Sequence, residues 1–245
     1  MRETPPWKPG AVRRPKPAAP AKTPLSQAQI VQAALRIVQK DGVDGVSMRR
    51  LAAEFDTGPS SLYAHVASKD ELLQLMFDEV CGLIDVPRLD PPRWKEQILE
   101  VARAGHRVLL DHNDLARAAL ATIPSGPHAM RISDAMLGMM LAGGIPPRVA
   151  AFAMDRIFLY ITADAYEMSI WRSEIHETGG DQDKVITELT DDLLAYFEQV
   201  PEDLYPNIRK HARDMVGGGS DARFELGLEL LVDGLDKYVG LAGNE

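Results

Sequence analysis

The chain has 245 residues, of which 45% are hydrophobic and 26% charged, with a formal net charge of −9. That length and composition suit a soluble protein with a sizeable core, most simply divided into two domains. No apolar run approaches the ~18 residues of a membrane span, no apolar segment near the N-terminus reads as a signal peptide, and a lone cysteine, Cys81, excludes an intrachain disulfide, so a cytoplasmic protein is expected.

The acidic total hides a division along the chain. Met1 to Lys69 carries 11 Lys and Arg against 5 Asp and Glu, a net of +6, while the remainder carries 16 against 31, a net of −15. Such an asymmetry points to nucleic acid at the basic end and keeps the acidic end off phosphate. The first 24 residues hold seven prolines and six basic side chains; proline at that density forbids helix. A disordered basic arm is expected over 1–24, either following the DNA backbone or groove or serving as a solubilising extension.

From Leu25 on, the start and stop signals are helical. Ser26 with Gln29 forms a capping box, Ile30, Ala33, Ala34, Ile37 and Val38 fall on one stripe, and Gly42 closes the helix. Ser47 caps a second helix that buries Leu51, Ala52 and Phe55. Asp56, Thr57 and Gly58 make a tight turn with Gly58 as its permissive residue, and Pro59 opens a very short third helix reaching about His65. Ser68 and Glu71 box the start of a fourth, which carries Leu72, Leu73, Met76, Phe77, Val80, Cys81 and Ile84 toward Pro87. Cys81 lies on this apolar face and reads as a buried thiol.

Helix, turn and short helix is the geometry that sets one helix into the major groove while its partner braces across the backbone. Ser60, Ser61 and Tyr63 bring donors for phosphates or base edges, Ala64 suits a thymine methyl, and His65 offers a ring donor. Ser47, Arg49, Arg50, Thr57, Pro59 and Lys69 complete the candidate DNA contacts.

The run S-S-L-Y-A-H-V-A-S-K-D-E-L-L closely resembles the L-Y-x-H-x-x-S-K-x-x-L-L signature of the tetracycline-repressor-like (TetR) family, and the resemblance extends over about Leu25 to Ile84. One departure is Gly58, standing where that family often places a Ser or Thr cap. Near the C-terminus F-E-L-G-L-E-L-L-V-D-G-L is similar to the closing helix of the tetracycline-repressor-type branch. The resemblance implies an all-α regulator: a helix-turn-helix DNA-binding domain with its connecting helix at 25–86, and an effector-binding and dimerisation domain at 87–245. It implies double-stranded DNA, a small apolar or aromatic effector and a second copy of the chain as partners. An activator or global regulator without effector, or a helical enzyme or interaction protein that has lost DNA binding, are the alternatives. Ala119 stands where the tetracycline binder keeps its magnesium-binding histidine, which disfavours tetracycline.

Beyond the proline-rich break at Pro87 to Pro92, helices are expected at about Arg93 to Asp111, Asn113 to Thr122, Met130 to Leu141, Arg148 to Ile175, around Ile186 to Phe197, Pro206 to Val216, and from Ser220 or Asp221 to about Val239, with a polar loop at His176 to Lys184. No strand alternation appears. Neither a phosphate loop nor a nucleophile elbow occurs, and the cluster Asp111, His112, Asn113, Asp114 reads as helix capping. No catalytic residue, metal or cofactor is assigned.

Two constellations remain. On the long helix, Ala151, Met154, Asp155, Phe158 and Thr162 form a face apolar but for Asp155, which is either an ion-pair partner of an Arg such as Arg131 or the polar anchor of a pocket. The expected effector pocket is Met154, Asp155 and Phe158 with Val101, Gly105, Leu137 and Met140 opposite. On the last helix, Phe224, Leu228, Leu231, Leu235 and Tyr238 follow the 4, 3, 4, 3 spacing of a two-helix seam, with Gly227 and Gly234 beside it. These seven residues are the expected dimer interface on the last helix, which is expected to join the two copies together with the helix Arg148 to Ile175.

Overall fold

The computed structural model describes residues 24–112, 115–120, 124–178 and 182–241. The basic arm expected at 1–24 therefore lies, but for Pro24, outside the described residues. Within the rest the chain is all-α, with twelve helices and no strand among the described residues: α1 (Gln27–Asp41), α2 (Met48–Glu54), α3 (Pro59–Tyr63), α4 (Lys69–Cys81), α5 (Trp94–Asp111), α6 (Leu115–Leu120), α7 (Pro127–Ala142), α8 (Pro147–Thr178), α9 (Gln182–Gln199), α10 (Pro206–Lys210), α11 (Ala212–Val216) and α12 (Gly219–Asp233). None of these helices is long and apolar enough to cross a membrane.

Local side-chain caps start three of the first four, and Pro59 opens α3 at its first position. Ser26 and Gln29 close a reciprocal capping box on α1, Ser47 accepts from the Arg50 amide at 3.2 Å to start α2, and Ser68 accepts from the Glu71 amide at 3.0 Å to start α4. Their apolar faces meet in one core. Ile30, Leu51, Leu62, Leu72 and Met76 are wholly buried, each contributing about 1.5–3 kcal/mol of burial. Two residues of α6, Leu115 and Ala118, belong to this same core. A second core gathers α5, α7, α8 and α12 around Ile98, Met139, Met140, Ile157 and Leu228. Helix α4 is common to both regions, since Leu72, Met76 and Val80 face the first core while Phe77 and Cys81 pack toward α5, α6 and α8.

Several boundaries differ from the sequence expectation. The turn before α3 takes its positive φ at Asp56 (φ 50), and Gly58 is an extended N-cap (φ −87, ψ 156). Helix α8 runs on to Thr178 and α9 begins at Gln182, so most of the expected polar loop is helical. Helix α7 begins at Pro127, and the last helix stops at Asp233 with Gly234 as its C-cap.

Candidate DNA interface and internal cavity

On the first unit, α3 stands out with Pro59, Ser60, Ser61, Tyr63 and Ala64 exposed, Tyr63 at 51%, while Leu62 anchors it at 0%. Arg49 and Lys69 are exposed beside it, and Thr57 and His65 are half-buried at its two ends. The Thr57 hydroxyl donates to Ser61 Oγ at 2.9 Å, which fixes the Ser61 side chain. The His65 carbonyl accepts from Gln27 Nε2 at 3.0 Å, tying the end of α3 back to α1. Arg50 is a correction to the candidate contacts. Its guanidinium is ion-paired with Asp41 and donates to the Gly45 carbonyl at 3.3 Å, so at the half-exposed surface it braces α2 against the end of α1. Ser47 is exposed, and its hydroxyl accepts the Arg50 amide as a cap while keeping its proton to donate.

In the second unit a cavity of about 470 Å³ lies between α4, α5, α7 and α8. Its walls are Phe77, Val80, Cys81 and Ile84 from α4 and the turn after it, Val101, Gly105 and Leu109 from α5, Ala129, Ile132, Ser133 and Met136 from α7, and Met154, Phe158 and Ile161 from α8; Ala119, Leu120 and Pro124 close one side. Phe158 meets Phe77 edge to face at 5.9 Å. A Cβ on Gly105 would stand 3.2 Å from Ile161 Cδ1, so this glycine widens the space.

Four of the seven expected pocket residues line it from within: Val101, Gly105, Met154 and Phe158. Asp155 reaches only the exposed rim, where it pairs with its neighbour Arg156 at 2.9 Å, both side chains more than 60% exposed. It is neither a buried anchor nor a partner of Arg131, whose guanidinium donates to the Ile84 carbonyl at 2.9 Å. Leu137 and Met140 do not line the cavity, because α7 presents the stripe 129, 132, 133, 136 to it and turns Met140, fully buried, into the second core. Burial pushes the Cys81 thiol up to about 12, with Asp78 adding to it, so the cavity wall there is a neutral thiol. No group of three His, Cys, Asp or Glu poised to hold a metal occurs among the described residues.

The residue that sequence reasoning missed is Asp78. It is buried on α4, and its Oδ1 accepts from the backbone amides of His128 and Ala129 at 3.0 and 2.9 Å. Capping is sought locally in a sequence; here the cap is supplied from fifty residues away.

The expected dimer seam is also corrected. Phe224, Leu228 and Leu235 are buried in the chain's own second core, with Leu231 and Tyr238 packed against it. Gly227 faces Tyr160 of α8, whose phenolic oxygen would stand 2.1 Å from an added Cβ and donates to the Phe224 carbonyl at 3.0 Å. Gly234 is a helix end. The exposed side of α12 carries Leu226 and Leu230, at 58% and 66%, and that of α8 carries Leu159, Ile170 and Trp171.

A short exposed helix beside a brace, joined through one shared helix to an apolar cavity with an exposed rim, is the architecture of a DNA-binding regulator. Residues 30–76 match the family model for bacterial regulatory proteins of the tetR family, and residues 86–239 match that for the tetracyclin repressor-like C-terminal domain. The chain belongs to the TetR family of transcriptional regulators. An HTH-type transcriptional regulator of Saccharopolyspora erythraea is 32% identical over 95% of this chain and 94% of its own length. The class A tetracycline repressor of transposon 1721 from Escherichia coli is 29% identical over 88% and 92%. Among solved structures, Streptomyces coelicolor ActR in complex with actinorhodin is 39% identical, with a TM-score of 0.79 over 89% of this chain and all of that one.

Proposed function

We propose that the protein is a ligand-responsive repressor that binds its operator as a homodimer in the cytoplasm and releases it when a flat, largely apolar molecule fills the cavity. The observation that carries this reading is the double use of α4, which packs into the core under the recognition helix with Leu72 and Met76 and walls the cavity with Phe77 and Cys81. Residues 25–86 then act as the DNA-binding domain and 87–245 as the effector and dimerisation domain, and no catalytic role is assigned. At the DNA, Tyr63 and Lys69 position the backbone with Arg49, Thr57 and Pro59 near it, and Ser60, Ser61, Ala64 and His65 face the groove.

The cavity walls favour an aromatic guest: two phenyl rings, methionine sulfur and aliphatic side chains, with Ser133 as a neutral polar group inside and the Asp155–Arg156 pair at the rim. No histidine is among the described residues that line it, which speaks against a metal-chelated guest. The structure of ActR in complex with actinorhodin supports a small-molecule guest for this chain. The dimer is assigned to the exposed sides of α8 and α12, through Leu159, Ile170, Trp171, Leu226 and Leu230.

Selection of bound genomic fragments with the full-length protein, followed by anisotropy titration of the recovered operator with and without actinorhodin as probe, tests both halves. Release of the operator at micromolar probe is expected, and Phe158→Ala should shift the probe concentration needed by at least tenfold while leaving operator affinity without probe within threefold. A protein that recovers no fragment, or a Phe158→Ala variant with parental probe response, would defeat the corresponding half.

A further inference from the structure

Helix α7 starts without a cap of its own. Gly126 at its N-cap position has no side chain, Pro127 has no amide hydrogen, and the Met130 amide is already bonded to the Gly126 carbonyl at 2.9 Å. Two donors of the first turn remain, those of His128 and Ala129, and both end on one oxygen of Asp78. Gly126 is what lets the carboxylate in, since a Cβ there would stand 2.1 Å from Asp78 Cγ. The first turn of an effector-domain helix is thus completed by a side chain of the helix that carries the DNA-binding unit.

The neighbours of this clamp give it a task. Phe77 and Cys81, on either side of Asp78 along α4, wall the cavity, and Ala129 and Ser133 of α7 wall it from the facing side. Toward the N-terminus of the same helix, Leu72 and Met76 are wholly buried in the core beneath the recognition helix. A guest between α4 and α7, or a partner that tilts the DNA-binding unit, acts on the same two hydrogen bonds. Such bonds hold only over a narrow range of distance and angle, so a shift of α4 against α7 weakens both together. We propose that Asp78 is the positioning residue that couples occupancy of the cavity to the pose of the DNA-binding unit, by capping α7 from α4. The proposal rests on the reading of the protein as a ligand-responsive regulator, and it makes the clamped arrangement the operator-binding one.

Coupling between two sites is reciprocal, so operator DNA alone must be felt at the start of α7. Hydrogen exchange at the His128 and Ala129 amides of the full-length protein, measured with and without saturating operator, reads this directly. Exchange should slow at least fivefold on operator binding in the parent. Asp78→Asn, which keeps an acceptor oxygen, should retain the response. Asp78→Ala, checked for folding by its melting curve, should lose it although the operator is still bound at saturation. Gly126→Ala, which expels the carboxylate without altering α4, should lose it as well and serves where Asp78→Ala does not fold. Parental amides indifferent to operator, or a full response in either clamp-breaking variant, would overturn the proposal. A parent that binds no genomic fragment shows itself in the prior titration and removes the regulator reading, and the coupling with it.

Discussion

Lys69 and Ser61 are both exposed on the candidate DNA face, yet they should fail differently when truncated. Lys69, first residue of α4, is proposed to meet phosphate as a point charge. Lys69→Ala is expected to weaken binding alike on all sequences and to flatten the salt dependence by a slope of about 0.9. Ser61, held by the Thr57 hydroxyl, points its remaining capacity outward, and Ser61→Ala should alter which operator variants are preferred at nearly constant salt slope. Anisotropy titrations at several salt concentrations on a small operator panel separate the two. Gly58 makes a third case. With extended backbone and nothing within 4 Å of an added Cβ, it accepts a hydroxyl cap without strain, so Gly58→Ser should raise stability by a few tenths of a kcal/mol, read as a small upward shift in melting temperature. Cys81 is predicted to be inert. Its thiol, pushed up to about 12 from an ordinary value of 9.0, stays protonated in the folded chain where the unfolded chain ionises. Stability linked to it is intact below about pH 9 and falls as pH rises toward 12. Iodoacetamide at pH 8 should modify the native protein at least a hundredfold more slowly than the unfolded one, and comparable rates would show that the thiol is not shielded.

At the scale of elements, what was legible depended on how local the determinant is. The four N-terminal helices announce themselves through Ser26, Ser47, Pro59 and Ser68, because a cap and the helix it starts are adjacent in sequence. Helical periodicity likewise identified the apolar face of α12, but a periodic stripe says nothing about whose surface it meets. Phe224, Leu228 and Leu235 pack on α5 and α8 of their own chain, and Gly227 makes room for the Tyr160 hydroxyl instead of a foreign backbone. The same ambiguity displaced the pocket on α7 by a fraction of a turn, trading Met136 for Leu137 and Met140. Asp78 was illegible altogether, since nothing near it in sequence marks the amides it serves. A test follows for α12: Gly227→Ala should cost about 1–3 kcal/mol through overpacking against Tyr160, lowering the melting temperature while leaving the dimer intact in sedimentation. A monomeric Gly227→Ala with parental melting temperature would return this face to the interface.

For the whole molecule, two short recognition helices must act together, because one reads only a few base pairs and a symmetric pair reads two successive turns of one DNA face. The exposed leucines of α12 and the apolar stripe of α8 are where that symmetry is expected to be built. Leu230→Glu, at a position already 66% exposed in the protomer, should leave the protomer folded, shift the sedimenting species from dimer to monomer at micromolar concentration, and weaken operator binding by at least tenfold. An unaltered dimer would move the interface elsewhere.

Leu115 and Ala118 bear on how regulators of this kind recombine. Both sit on α6, beyond the linker, yet they fill the core under the recognition helix, and Arg117 between them pairs with Asp44 of that unit at 2.7 Å. A fragment ending at residue 86 would carry an open wound in its core, and a graft of its first 86 residues onto a relative's body would succeed only where the host's own α6 supplies matching shapes. The head of this protein and the helix that props it pack as one part, so exchange of operator specificity between such regulators is expected to be constrained by a segment outside the DNA-binding unit.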